Sequence, residues 1–125
     1  MQLLNQPNLS QTIKRYRKGE VELRSGRVLT HPFLLTSEDL VLLPELSEMQ
    51  LFSITQGTAV IDQLLLLQHS IVVLGCSSEP QESFELKNYL EQRSLSFECM
   101  KADAACRTHL VLMSENRKVQ LLLFP

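Results

Sequence analysis

Side chains that can do chemistry lie close together between positions 103 and 109. They are the carboxylate of Asp103, the thiol of Cys106, the guanidinium of Arg107 and the imidazole of His109. A thiol near the start of a helix and beside an arginine can have a lowered pKa and act as a nucleophile. Such a thiol also needs a positioned base, and His109 follows three residues later on the same helical face. The simpler interpretation, which we favour, is a buried and inert thiol beside an unrelated histidine.

A second candidate is the segment Gly75-Cys76-Ser77-Ser78, which follows an apolar run and precedes a predicted helix. Backbone amides in such a loop can hold an anion. However, phosphate-binding loops and dinucleotide fingerprints contain more than one glycine. We therefore favour a plain turn between a strand and a helix.

The three cysteines do not have the spacing of a metal site. No two of Cys76, Cys99 and Cys106 form the C-x-x-C pair that structural zinc sites usually contain. The N-terminal residues lack the pattern of a secretory signal. An odd number of cysteines in such a chain predicts reduced thiols in a reducing compartment. We therefore predict a cytoplasmic protein with no disulfide, no metal and no cofactor.

Charged residues argue against a nucleic-acid-binding protein. The net charge of the 125 residues is -2, whereas nucleic-acid binding usually needs a strongly basic face. We interpret the basic cluster from Lys14 to Lys18 as a solvated stretch beside Glu20 and Glu22. Arg107 opposes the dipole of its predicted helix, which an ion pair with Asp103 or Glu98, or a ligand carboxylate, would explain. The ion pair is the simpler explanation.

The length is that of one domain, and we predict a single domain over residues 1–125 with an irregular arm at 1–10. The apolar runs, such as those at residues 64–67 and 71–74, are far shorter than the ~20 residues of a membrane-spanning helix. In the first half, Val21 and Leu23 alternate with charged residues and Ser25-Gly26 follows. This pattern, with the short apolar runs that come after it, predicts short antiparallel strands joined by tight connections.

Strands and helices alternate in the second half. The uninterrupted run Ile71–Leu74 predicts a strand that is covered on both faces and ended by Gly75. Further strands are predicted at Leu95–Met100 and Val119–Phe124. One helix is predicted to open at Ser83, and another to be capped by Asp103 and to end near Ser114. The predicted fold is therefore a compact α/β domain with a mixed sheet, whose C-terminal half is a parallel βαβαβ unit.

The carboxyl ends of parallel strands gather at one edge of a sheet, where ligands tend to bind. The loops at residues 75–78 and 101–104 should meet there. The candidate functional edge comprises Gly75, Cys76, Ser77, Asp103, Cys106, Arg107, Thr108 and His109.

The run Ala104-Ala105-Cys106-Arg107-Thr108, followed by an apolar stretch and Glu115-Asn116-Arg117, carries a family resemblance. Together with Leu74-Gly75-Cys76-Ser77 and Glu98-Cys99-Met100, it resembles the family of mitochondrial respiratory complex I assembly factor 3 and its uncharacterised bacterial and archaeal relatives. That family has Leu-Gly-Thr-Gly where this chain has Leu74-Gly75-Cys76-Ser77, and Tyr-Asn where this chain has His109-Leu110. The first difference removes the second glycine and the threonine from the loop.

The resemblance implies a compact α/β fold and a role in binding other proteins, since the mitochondrial member assembles a membrane complex. Our first hypothesis is therefore a non-catalytic interaction or assembly factor that binds a protein partner, either a separate protein or a second copy of this chain. A patch rich in apolar residues is the predicted partner-binding surface: Leu42, Leu43, Leu46, Met49, Leu51 and Phe52. The alternative is a small-ligand-binding module or enzyme that uses the edge around Gly75, Asp103, Cys106 and Arg107.

Overall fold

The computed structural model describes residues 12–47, 58–78 and 84–125. Within these ranges the chain forms eight strands and three helices of one mixed α/β domain. The strands are β1 Ile13–Arg17, β2 Glu20–Leu23, β3 Val28–Leu29, β4 Phe33–Leu35, β5 Leu40–Leu42, β6 Ile71–Cys76, β7 Ser96–Lys101 and β8 Val119–Leu123. The helices are α1 Thr58–Leu65, α2 Phe84–Glu91 and α3 Ala102–Ser114.

The strands form two sheets. The larger sheet has the order β5-β4-β8-β6-β7, and the smaller has the order β1-β2-β3. Strand β6 runs parallel to both β7 and β8, whereas β4 pairs antiparallel with β8 and β5. The smaller sheet is antiparallel throughout. The predicted fold class is confirmed, with a parallel C-terminal half and short antiparallel strands before it.

Strand β6 lies at the centre of the parallel part and is covered on both faces. Val72, Val73 and Leu74 have no exposed surface. Because successive side chains of a strand point to opposite faces, Val73 enters one hydrophobic core while Val72 and Leu74 enter the other. The unbroken apolar run in the sequence therefore reflects a strand with two buried faces.

Two hydrophobic cores lie on opposite faces of the larger sheet. The first joins that sheet to α3 and to the smaller sheet through Val73, Leu121, Leu123, Ala105, Met113, Ile13, Val21 and Leu23. The second joins it to α1 and α2 through Val72, Leu74, Leu122, Ile61, Leu64, Leu86 and Leu90. Each helix thus buries one apolar face against the sheet, as the spacing of its apolar residues requires.

A buried glutamine links the sheet to the end of α1. Gln120 is 1% exposed, and its Nε2 donates to the carbonyl of Leu64 at 2.7 Å and to the hydroxyl of Ser70 at 2.9 Å. The last carbonyl groups of a helix have no partner within the helix. Gln120 therefore satisfies one of them and fixes α1 against β8.

Strand β1 was not predicted, because its residues belong to the basic cluster. Ile13 is buried and Tyr16 is half-buried, so the strand places these two residues in the first core. Its basic side chains lie outside, where Lys14 and Arg15 approach Glu22 at 3.9 and 3.7 Å. Lys14, Arg15 and Arg17 of the basic cluster thus form the exposed side of an amphipathic strand.

The bounds of two strands also differ from the predictions. Strand β7 begins and ends one residue later than predicted, and β8 ends at Leu123 rather than Phe124. The predicted helix start at Ser83 and the predicted arm at residues 1–10 lie outside the described residues.

Gly75 does not end β6, and the prediction that it forms a turn is wrong. It lies inside the strand, opposite Met100 of β7 and Leu123 of β8. A Cβ atom at this position would overlap Cδ1 of Leu123 and come within 2.7 Å of Cβ of Ala105 and 3.3 Å of Cα of Ala102. Glycine is needed here because α3 crosses the strand at close range.

We expect Gly75→Ala to destabilise the fold by about 1–3 kcal/mol, the usual cost of forcing extra volume into a packed core. Denaturant unfolding should show a lower midpoint with the slope unchanged. The same substitution in a Leu123→Ala background should cost less, since the closest overlap has been removed. An unchanged midpoint for Gly75→Ala would contradict the close packing of α3 on β6.

Candidate functional site

The carboxyl ends of β6 and β7 meet at one edge of the sheet, as predicted. Cys76, the last residue of β6, is in register with Lys101, the last residue of β7. Ser77 and Ser78 follow Cys76 and are exposed. Helix α3 begins directly after Lys101, so no loop separates it from β7. The edge is therefore built from two strand ends and the first turns of α3.

The residues predicted for the candidate functional edge separate into two groups. Those that face the cores are Gly75, Cys76, Cys106 and His109. Those that face outward are Ser77, Asp103 and Arg107, with Thr108 between the two groups. The groups that would attack or accept protons are therefore buried, while the charged groups are in contact with solvent.

Asp103 is not the cap of α3, contrary to the prediction. The capping position is Lys101, whose side chain makes no capping hydrogen bond, and Asp103 lies in the first turn of the helix. The pKa of Asp103 is lowered, first by the backbone amide of Ala104 and also by Arg107. Amides at a helix start point toward such a carboxylate, and the helix dipole favours its negative charge.

Arg107 forms the predicted ion pair with Asp103. Its Nη1 lies 3.5 Å from Oδ2 of Asp103 one helical turn earlier, and both side chains are more than half exposed. An exposed pair of this kind contributes little to stability. The pair explains why a basic residue is tolerated near a helix start, without a ligand carboxylate.

The thiol of Cys106 is buried in the first core and is 4% exposed. Burial raises the pKa of Cys106 to about 12, and the nearby charge of Asp103 adds to this, while Arg107 acts in the opposite direction. Burial disfavours the charged thiolate because the core cannot solvate it. At neutral pH the group is therefore a neutral thiol, which is a poor nucleophile.

His109 is fully buried on the same face of α3. Burial lowers its pKa to about 4, so the imidazole is neutral at physiological pH. Among the described residues, neither ring nitrogen has a hydrogen-bond partner. Cys106 and His109 thus do not form the hydrogen-bonded pair of nucleophile and base that cysteine catalysis requires.

Two sulfur contacts at this edge were not predicted. The hydroxyl of Thr108 donates to Sδ of Met100 at 3.3 Å, which links α3 to β7. The Sγ atoms of Cys76 and Cys99 lie 3.6 Å apart, across β6 and β7. The alternation of apolar residues along each strand indicates which face each cysteine occupies, but only the register between the strands brings the two together.

The apolar patch predicted for partner binding is partly described. Leu42 at the end of β5 is 46% exposed, whereas Leu43 and Leu46 are half-buried and pack against the second core. Met49, Leu51 and Phe52 lie outside the described residues. Leu42 is therefore the exposed member of this patch in the part of the chain that the structure describes.

A family model matches residues 13–124, with the description "Protein of unknown function (DUF498/DUF598)". The chain belongs to this family. The match includes both sheets and the candidate functional edge, so the fold and the edge belong to the family domain.

Solved structures of bacterial proteins share this fold. The NMR structure of a Xanthomonas campestris protein is 25% identical, covers 98% of this chain and 92% of that chain, and has a TM-score of 0.69. A Bordetella pertussis protein described as an Mth938-like domain is 21% identical, covers 100% and 92%, and has a TM-score of 0.68. A protein described as an outer membrane protein from Bartonella henselae is 21% identical, covers 94% and 98%, and has a TM-score of 0.63.

These similarities agree with the predicted resemblance to uncharacterised bacterial proteins, but they do not extend to respiratory complex I assembly. No curated protein matches the chain. In the described ranges, no helix has the length and apolar character that crossing a membrane requires. The same ranges contain no cluster of three or more metal-ligating side chains.

We expect Cys106 to resist alkylation in the folded protein. A thiol with a pKa near 12 should react at neutral pH at least about a hundredfold more slowly than in the unfolded chain, because the thiolate is the reactive form. Peptide mapping after timed labelling would measure this, with the half-buried Cys99 as the internal reference. Rapid labelling of native protein at Cys106 would instead support the enzyme hypothesis.

Cys106→Ala should lower the free energy of unfolding by only on the order of 1 kcal/mol, because it leaves a small void in the first core.

We expect stability to fall as the pH is lowered from about 6.5 toward 4. The folded-state pKa of His109 is depressed to about 4, so below the ordinary value near 6.5 the unfolded chain binds a proton that the folded chain excludes. The loss should be on the order of 3 kcal/mol across that window. Denaturant midpoints measured between pH 7.5 and 4 would show it.

His109→Leu should remove this pH-dependent loss, while the exposed His31 provides the matched control. We expect His31→Gln to keep the pH dependence of the original chain. Equal pH dependence in His109→Leu and the original chain would show that His109 is not the group responsible.

Proposed function

We propose that this chain is a non-catalytic binding module that recognises another protein. The observation that carries the proposal is the burial of both reactive groups at the candidate edge. Cys106 is held as a neutral thiol, and His109 as a neutral imidazole with no hydrogen-bond partner among the described residues. Catalysis needs such groups placed where a substrate can reach them.

The proposed contact surface is the outer side of β5 around Leu42. Strand β5 is at the end of the larger sheet, and within the described residues it pairs only with β4. An end strand can accept a strand from a partner, with main-chain hydrogen bonds giving affinity and side chains giving specificity. Leu42 adds an exposed apolar side chain at this place.

The proposal also includes the kind of protein that is bound. The resemblance to the family of complex I assembly factor 3 supports a partner that is a subunit of a respiratory or other membrane complex. A second copy of this chain is the other partner to test, because end strands also pair with themselves. We place this activity in the cytoplasm, because an odd number of cysteines is typical of a protein that keeps its thiols reduced.

Leu42→Lys should reduce by about tenfold the affinity for the partner protein that the original chain captures. Full burial of a leucine side chain is worth about 1.5–3 kcal/mol, and Leu42 is 46% exposed, so a partner would gain about half of this by covering it. Burying the lysine charge adds a further cost, and about 1.4 kcal/mol corresponds to a factor of ten in affinity. The measurement is a quantitative crosslinking pull-down from the native cell with purified tagged chain, together with light scattering to detect self-association.

Val111→Lys is the matched control, since Val111 is 55% exposed on α3, compared with 46% for Leu42. Both variants should unfold like the original chain, because both positions are exposed. If both variants capture the same proteins in the same amounts and keep the same oligomeric state, the surface at β5 is not the binding site. Turnover found in a metabolite screen would favour the enzyme hypothesis.

A further inference from the structure

The thiols of Cys76 and Cys99 form a close pair at the carboxyl ends of β6 and β7. Their Sγ atoms are 3.6 Å apart, and either can donate its hydrogen to the other. The register places Cys99 opposite Leu74, two residues before Cys76 along the neighbouring strand. Since alternate residues share a face of a sheet, Cys76 and Cys99 both point toward the second core.

The two thiols differ in their access to solvent. Cys76 is 1% exposed within the second core, whereas Cys99 is half-buried at its margin. A small oxidant would therefore meet Cys99 first, and the sulfur of Cys76 lies 3.6 Å from that of Cys99. This is the arrangement of an accessible thiol beside a second thiol that can resolve its oxidised form.

We propose that Cys76 and Cys99 are a reversible oxidation site, at which a peroxide converts the two thiols into an intramolecular disulfide. The proposal is independent of the proposed protein binding, because it concerns the opposite end of the larger sheet from β5. It assigns a chemical role to cysteines that the family description does not assign.

The reaction proceeds in two balanced steps. In the first, Cys99 Sγ attacks one oxygen of the peroxide and the O–O bond breaks. For hydrogen peroxide this gives a sulfenic acid on Cys99 and one water, which takes up the thiol proton. In the second, Cys76 Sγ attacks the sulfur of Cys99, the S–O bond breaks and a second water leaves with the proton of Cys76. Two thiols are oxidised by two electrons in total, and one peroxide is reduced.

The position of β7 permits the movement that the bond requires. A disulfide has a sulfur–sulfur distance of about 2.05 Å, so the sulfur atoms must approach from 3.6 Å. Cys99 lies opposite Leu74 rather than opposite Cys76, so the bond requires a shift of β7 along β6 in addition to side-chain rotation. Strand β7 is at the end of the larger sheet and pairs only with β6 among the described strands, so it can shift without breaking a second ladder.

The disulfide would restrict the movement of β7 relative to β6 at the candidate edge. It would tie the end strand β7 to the central strand β6 immediately before α3 begins. Closing the loop between residues 76 and 99 would also restrict the unfolded chain, which raises stability when the native geometry accepts the bond. We therefore expect the oxidised chain to unfold at a higher denaturant concentration than the reduced chain.

Cys106 provides an internal control. Its thiol is 4% exposed in the first core, on the other face of the sheet from the pair. Cys106→Ala removes this thiol and leaves the pair intact. Cys99→Ser removes the accessible member of the pair at a half-buried position, where a hydroxyl group is tolerated.

The test is intact mass spectrometry of the full chain after treatment with hydrogen peroxide, without reductant. We expect the original chain and Cys106→Ala to lose the mass of two hydrogen atoms, and to regain it with dithiothreitol. Proteolysis of the oxidised chain should release the peptide containing Cys76 linked to the peptide containing Cys99. Cys99→Ser should not lose two hydrogen atoms within one chain.

Four results would each overturn the proposal. The first is oxygen addition to the original chain with no loss of two hydrogen atoms. The second is a linked peptide that contains Cys106, and the third is a two-hydrogen loss that persists in Cys99→Ser. The fourth is a disulfide formed only between two chains. Because the linked peptides are mapped in the original chain, the test does not depend on the folding of any variant.

Discussion

Helix α3 approaches β6 so closely at Gly75 that a single methyl group there would overlap Leu123 and Ala105. This contact determines how deeply the inner face of α3 enters the first core. It also sets the distance at which the smaller sheet can cover that face, since Ile13 and Val21 pack into the same core. A larger residue at position 75 would push α3 outward and open the centre of the molecule.

The same packing determines the chemistry of the candidate edge. A helix held this close to the sheet buries Cys106 and His109 among apolar side chains, which keeps both groups neutral at physiological pH. Asp103 and Arg107 lie on the outer face and neutralise each other in an exposed pair. The inner face of α3 thus contributes to stability, and the protein binding that we propose would use the outer surface of the larger sheet's end strand.

The sequence predicts the parallel half of the fold well, because the run at residues 71–74 is apolar throughout and the helices around it are amphipathic. It does not reveal β1, since only Ile13 and Tyr16 of that strand enter the core and basic residues surround them. The sequence also predicts a turn at Gly75, which is wrong because Gly75 lies inside β6. The neighbouring residues do not distinguish a glycine needed for a turn from a glycine needed where a helix crosses a strand at close range.

The candidate site was less predictable than the fold, because its properties depend on contacts between distant segments. The spacing of Cys106 and His109 correctly places them on one helical face, but the spacing does not show whether that face is open or covered. Likewise, Cys76 and Cys99 are separated by 23 positions. Their proximity depends on the register of β7 against β6, which the pattern of apolar residues does not determine.

Native-state amide hydrogen exchange, measured residue by residue, is the most direct test of the claim that the rest of the structure depends on the contact between α3 and β6. Amides that open only when the whole molecule unfolds exchange most slowly. The structure predicts that these are the amides of β6, β8 and the inner turns of α3, with β1 to β3 exchanging faster through partial opening. Exchange in β6 and α3 as fast as in β1 to β3 would contradict this account.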